Sequence, residues 1–233
     1  MKKERKSRVS KIALILCAVL VLGIIGADFF MNMQKCEKTY TAMGTVVTAK
    51  ISGKSAAEAE EEIRLTVSGI ESSCLSWRIK DSDISRINAS CGEFACVSTD
   101  TAKWINECSE ISTESGGAFD ITVGKVTKLW NFDGEQNKVP DKKDIESALE
   151  AVDCSKLLFD STGVKAAKGQ FIDMGAVGKG IACDCAMEIA ENYGVKSAIV
   201  SVGGSVLIYG KKASVGIINP WDDGKYIGTI KMK

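Results

Sequence analysis

Apolar and polar positions alternate along this chain with two different periods, and the changes of period mark out its elements. "YTAMGTVVTAKISG" (40–53) is rich in β-branched residues and predicts an opening strand broken near Gly44. In "KSAAEAEEEIRLTVSGIESSCLS" (54–76) the period becomes helical. Ser55 caps this helix, and Ala59, Ile63, Val67 and Ile70 share one face. "DSDISRINAS" predicts a short polar helix or turn. Ser98 then caps a helix over "TDTAKWINECSEISTES", with Trp104, Cys108 and Ile111 inward and Gly116-Gly117 as its stop.

Between residues 125 and 152 an amphipathic turn with Leu129 and Trp130 comes first, then a polar loop, then a helix opened by Pro140 and Asp141. "KLLFDSTGVKAAK" predicts a hairpin turned at Ser161-Thr162-Gly163. "FIDMGAVGKGIACDCAMEIAENYGV" (171–195) reads as a strand, a glycine-rich turn and a helix ending at Gly194. "SAIVSVGGSVLIYG" predicts two buried strands about a Gly-Gly break, and residues 213–233 a last hairpin. Strands and helices do not alternate regularly, so the expected class is α+β, a mixed sheet with packed helices. No repeat and no linker interrupts the pattern. Residues 34–233 are therefore expected to form one domain after a distinct segment at 1–33.

That segment changes the picture of location. Five basic residues fall among the first eight, and sixteen uncharged residues follow from Ile12 to Ala27. A basic cap before an apolar run is the pattern of a signal peptide or a signal anchor. Ile25, two positions before the small Ala27, makes a poor cleavage site, which favours the uncleaved anchor. Either way the domain is expected on the extracytoplasmic face of a bacterial inner membrane. The charges balance at 30 basic and 30 acidic residues, so no general attraction to nucleic acid is implied. None of the nine cysteines forms a C-x-x-C pair; they read as small buried hydrophobes, and no zinc site is expected. With no histidine, a Ser-His-Asp triad and a Cys-His pair are excluded within this chain. Chemistry must rest on carboxylates, hydroxyls, lysine or an oxygen-ligated metal.

The motif "GAVGKG" fits neither nucleotide cradle. Gly175 and Gly178 enclose two residues where a Walker loop needs four before its Gly-Lys pair, and G-x-G-x-x-G is absent. Alone, its glycines could serve strand-to-helix packing, Asp120 in "GGAFD" could be a helix cap, Met43 in "TAMGT" core, and "LSWRIKDSDISRIN" a surface turn.

Together and in order, these stretches resemble the ApbE family, the FAD:protein FMN transferases once described as thiamine-biosynthesis lipoproteins. The family pattern runs M-G-T, then S-x-[YW]-x-x-x-S-x-[IL]-x-x-[IFL]-N, then G-G-A-F-D-x-T-[VI]-G-x-[LV]-x-x-L-W-x-F and [IV]-D-x-G-[GA]-[IV]-[GA]-K-G, with a later G-G. This chain supplies Met43-Gly44-Thr45, Trp77 to Asn88, Gly116 to Phe132, Ile172 to Gly180, and Gly203-Gly204.

The resemblance implies a T-fold-related α+β domain with a flavin cleft. Met43 matches a methionine that contacts FAD, and Trp77 an aromatic position near the dinucleotide. Ala118, Phe119 and Asp120 match the segment lining the site. Asp173 matches an aspartate that hydrogen-bonds the flavin nucleotide, Lys179 a position reaching it from the helix start, and Ala176 a backbone carbonyl that coordinates magnesium. No catalytic residue is assigned. Glycines permitting backbone approach, a helix start and a lysine suit a pyrophosphate. The implied reaction is Mg2+-dependent transfer of FMN from FAD to a threonine hydroxyl of an acceptor flavoprotein subunit, with release of AMP. The alternatives are a membrane-anchored, non-catalytic FAD-binding module and a Mg2+-dependent FAD pyrophosphatase giving FMN and AMP. Family members continue past this chain's end, through a histidine before D-P-x-T-G and an Asp and Thr that complete the magnesium site. A C-terminally truncated copy is therefore expected.

Overall fold

The computed structural model describes residues 16–27, 30, 34–132, 134, 139–222 and 224–232. Residues 16–27 are helical (α1). The rest of the expected anchor, with its basic segment, lies outside the described residues. No helix among the described residues is long and apolar enough to cross a membrane.

The fold is α+β. Strands β1 (Lys35–Ala42), β2 (Thr45–Ser52), β5 (Ser197–Val202) and β6 (Ser205–Tyr209) form one sheet in the order β1-β2-β5-β6. Strands β3 (Leu158–Asp160) and β4 (Gly163–Lys165) pair with each other, as do β7 (Ala213–Ile218) and β8 (Tyr226–Met232). The helices are α2 (Ala56–Gly69), α3 (Asp83–Ala89), α4 (Thr99–Glu114), α5 (Gly124–Trp130), α6 (Lys142–Leu149) and α7 (Gly178–Asn192). Contacts divide the chain into two compact units. One comprises Met1–Tyr40, Val47–Ile63 and Ala186–Lys233; the other comprises Thr41–Val46 and Arg64–Cys185. Each is assembled from discontinuous segments, so the division leaves no linker to be read in the sequence.

In the first unit, β2 and β5 alternate as half-buried strands must. The antiparallel register sets Val47 opposite Val202, Ala49 opposite Val200 and Ile51 opposite Ala198. All six are buried, so each cross-strand pair adds to one apolar face. Ala56, Ala59 and Ile63 of α2 and Ala186 and Ala190 of α7 are buried in the same unit. The β7–β8 hairpin leaves Ile218, Tyr226 and Ile227 exposed, and Trp221 at its turn is 87% exposed.

The second unit has its own core, in which Ile84, Ile87, Ile105, Ile121, Val164 and Ile172 are essentially inaccessible. The Ser98 oxygen accepts from Thr101 N–H and caps α4 as expected. Ser98 also donates from N and Oγ to the buried Asp83 carboxylate, at 3.0 and 2.8 Å, which ties the start of α4 to α3. The inward face of α4 differs from the expectation. Thr101, Ile105, Cys108 and Ser112 are buried, Trp104 packs only partly against the core, and Ile111 is 47% exposed. At 100° per residue Ile111 lies about 90° from the centre of that stripe.

Two further departures shape the site. The helix expected through residue 76 changes geometry after Gly69, and residues Ile70–Leu75 form a π-helical turn. The strand expected at 171–173 is reduced to one parallel bridge between Val123 and Phe171. The segment is extended nonetheless, because Asn88 stands in for a neighbouring strand. Its Oδ1 accepts from Ile172 N at 2.7 Å and its Nδ2 donates to Ile172 O at 2.9 Å.

Candidate functional site

Three sequence-distant stretches of the second unit line one cleft of about 140 Å³. Met43 comes from the turn between β1 and β2, Glu71 and Leu75 from the π turn, Trp77 and Arg78 directly after it, Asp173 from the extended segment before α7 and Lys179 from the first turn of α7. Met43 and Gly44 both have positive φ, +54° and +65°, as a two-residue type I′ hairpin turn requires. For a methionine that conformation is rare. Its N–H donates to Glu71 Oε2 at 2.6 Å.

Asp173 is fixed from both ends. Its N–H donates to Ile121 O, and its Oδ1 accepts from Gly175 N, each at 2.8 Å. That local loop turns the chain into α7, with Gly178 N–H donating to Met174 O at 3.0 Å. Asp173 Oδ2 makes no hydrogen bond among the described residues. Of the motif's glycines, Gly175 would place a Cβ 3.0 Å from Asp173 Oδ1, and Gly178 is as tightly set. A Cβ on Gly178 would stand 3.0 Å from Met43 Cε and 3.5 Å from Leu75 Cδ1, whereas one on Gly180 would meet nothing within 4 Å. Lys179 and Ala176 are exposed.

Trp77 forms the opposite wall. It meets Phe171 edge-on, with ring centroids 5.5 Å apart. The Arg78 guanidinium lies 4.1 Å from the Trp77 ring centroid, and Lys128 Nζ lies 4.9 Å from Trp77 and 3.4 Å from Phe171. Partial burial against these rings pushes the Lys128 amine below its ordinary value. The Trp77 indole nitrogen is buried and has no hydrogen-bond partner among the described residues. Beyond Trp77 a shallower hollow of about 430 Å³ reaches Ser85, Lys128 and Phe171.

Met43, Trp77, Asp173 and Lys179 thus meet in one cleft. Ala118, Phe119 and Asp120 do not line it. Ala118 is exposed and Phe119 packs partly against the core. Asp120 is engaged locally. Its Oδ1 accepts from Thr122 N and Oγ1, at 2.7 and 2.6 Å, and its Oδ2 accepts from Cys154 N at 2.8 Å. Sequence reasoning missed Glu71, Lys128 and Phe171 as site residues. Glu71 looks like one more solvated acid in an acid-rich helix, and only the π turn sets it on the cleft.

The described donors do not complete a magnesium site. Among the described residues no three His, Cys, Asp or Glu side chains are placed to hold a metal, and the Ala176 carbonyl alone falls far short of a shell of about six oxygens.

The sequence profile of the ApbE family matches residues 43–233. This chain belongs to the ApbE family. It is 26% identical over 213 residues to the FAD:protein FMN transferase of Haemophilus influenzae, covering 82% of this chain and 61% of that one. It is 30% identical over 175 residues to the Escherichia coli K12 protein of the same name, covering 70% and 50%. The chain thus spans between half and two thirds of the length of these relatives. The crystal structure of an ApbE protein from Thermotoga maritima superposes with a TM-score of 0.79 at 30% identity, covering 86% of this chain and 68% of that one. The flavin transferase ApbE of Vibrio cholerae shares the fold, with a TM-score of 0.72 at 21% identity over 80% of this chain and 64% of that one.

Against the motif quoted above, the aromatic residue of this chain is offset by one. Counted back from Ser82, the family spacing S-x-[YW]-x-x-x-S puts Arg78, not Trp77, on the aromatic position. Trp77 precedes it, and the two are stacked, so both still face the cleft.

Proposed function

We propose that this protein is an FAD:protein FMN transferase. The observation that supports this reading is the convergence of Met43, Trp77, Asp173 and Lys179 on one cleft from segments far apart in sequence. A volume of about 140 Å³ is below the roughly 300 Å³ of a typical small-molecule site, so this cleft would seat part of the dinucleotide. The start of α7 brings a partial positive charge, and Lys179 adds a full one; together they suit the diphosphate. Asp173 Oδ2 would accept a hydrogen bond from the bound nucleotide. Trp77 and Met43 would supply apolar walls.

In the reaction, an acceptor threonine hydroxyl forms a new P–O bond to the FMN-side phosphorus. The diphosphate bond breaks, AMP leaves with the bonding pair, and the hydroxyl proton passes to solvent. Positioning would provide much of the acceleration. The resemblance also calls for Mg2+ at the Ala176 carbonyl, which no cluster of carboxylates among the described residues supplements. The basic and apolar N-terminus supports an extracytoplasmic, anchored location. Protease digestion of intact spheroplasts tests it: the domain should be cut, and full protection would contradict an external position.

The function is tested by incubating the protein with FAD, Mg2+ and a flavin-acceptor domain carrying a reactive threonine, then reading flavin fluorescence on a denaturing gel. A fluorescent acceptor band, lost when that threonine becomes alanine, supports transfer. Free FMN without labelled acceptor would point to hydrolysis instead, and bound FAD without turnover to a binding module.

A further inference from the structure

We propose that Glu71 is a positioning residue, holding the Met43-Gly44 turn in the left-handed conformation that presents Met43 to the cleft. Its effect on flavin binding rests on the reading of the cleft given above. The geometry comes from an extra residue in a helix. The inward positions Ala59, Ile63, Val67 and Ile70 follow α-helical spacing, and the next one should be residue 74. Instead Leu75 is buried, five residues after Ile70, and Ser76 N–H reaches back five residues to Glu71 O at 3.2 Å. This π step is a kind of irregularity that recurs at functional sites. It places Glu71 and Leu75 together on the cleft wall.

Glu71 meets Met43 there. A bulky residue at φ +54° is disfavoured, and persists only where its surroundings hold it. The hold is a short charge-assisted hydrogen bond, Met43 N–H to Glu71 Oε2 at 2.6 Å, between residues 28 apart. The Met43 side chain lies against the start of α7, its Cε 3.0 Å from where a Gly178 Cβ would stand.

The test compares wild type with Glu71→Ala, Glu71→Gln, Met43→Ala and the double alanine variant, after thermal melting has shown each to be folded. FAD affinity is read from flavin fluorescence, and Met43 amide exchange by NMR. Glu71→Ala should raise the FAD Kd about tenfold, and Glu71→Gln, which keeps an acceptor oxygen, should stay within about threefold of wild type. The double variant should bind no worse than Met43→Ala alone, because Glu71 acts through Met43. Wild-type binding by Glu71→Ala, no rescue by glutamine, or additive losses would overturn the proposal. Exchange needs no flavin: the Met43 amide should exchange at least about a hundredfold faster in Glu71→Ala. If wild type binds no FAD, the functional reading fails while exchange still decides the positioning role, and an unchanged exchange rate would overturn it.

Discussion

At the scale of single residues, the site depends on small clearances. Gly178→Ala would push a methyl against Met43 Cε, so it should weaken FAD binding about tenfold and lower the melting temperature. Gly180→Ala, in open space inside α7, should instead raise the melting temperature, since alanine gains about 0.5–1 kcal/mol over glycine in a helix. Melting curves of the two variants should move in opposite directions; a shared direction would mean that local crowding at Gly178 has been misjudged. Asp120 makes a different case. Its carboxylate accepts three hydrogen bonds that tie residue 122 and residue 154 to it. Asp120→Ala should cost about 3 kcal/mol in urea unfolding, because buried donors lose their acceptor.

At the scale of elements, the turn into α7 depends on a side chain 84 residues away. Asn88→Ala removes both hydrogen bonds to Ile172, so a loss of about 2 kcal/mol is expected in urea unfolding. Ser98→Ala should cost about 1 kcal/mol as a lost cap, and more if Asp83 is left short of donors. The cap at Ser98, the helix start after Asp141 and the stop at Gly116-Gly117 were legible in the sequence because their signals are local, though Asp141 makes no side-chain capping bond. Ile111, the π turn after Gly69 and the bridge at Phe171 were not. Each is decided by what packs against the segment, and spacing along one element carries no record of that. The site follows the same division. Met43, Trp77, Asp173 and Lys179 were singled out by their motifs, whereas Glu71 lies outside every motif and Lys128 at an unspecified position of one, so both enter through tertiary geometry.

At the scale of the whole molecule, buried thiols couple stability to pH. Burial pushes the Cys108 thiol up to about 12 from an ordinary 9.0, with neighbouring Cys154 adding to the effect. An unfolded chain releases that proton near 9 while the folded protein keeps it to about 12. The stabilisation is therefore complete below pH 9 and is lost as pH rises through that window, by about 1.4 kcal/mol per pH unit at most. Comparing urea unfolding of wild type and Cys108→Ala between pH 8 and 11 isolates the thiol. The wild type should fall more steeply, and parallel profiles would show that Cys108 is not held protonated by the fold. The candidate cleft lies in the same second unit, whose core includes Leu75 and Met174 and packs against Met43 and Trp77. The measurement that tests this most directly is an FAD titration followed by flavin fluorescence, with Asp173→Ala and Lys179→Ala beside the wild type. Saturable binding to one site, weakened at least about tenfold in both variants, is the expected result; no saturation, or equal affinity in all three proteins, would contradict a flavin nucleotide site in this cleft.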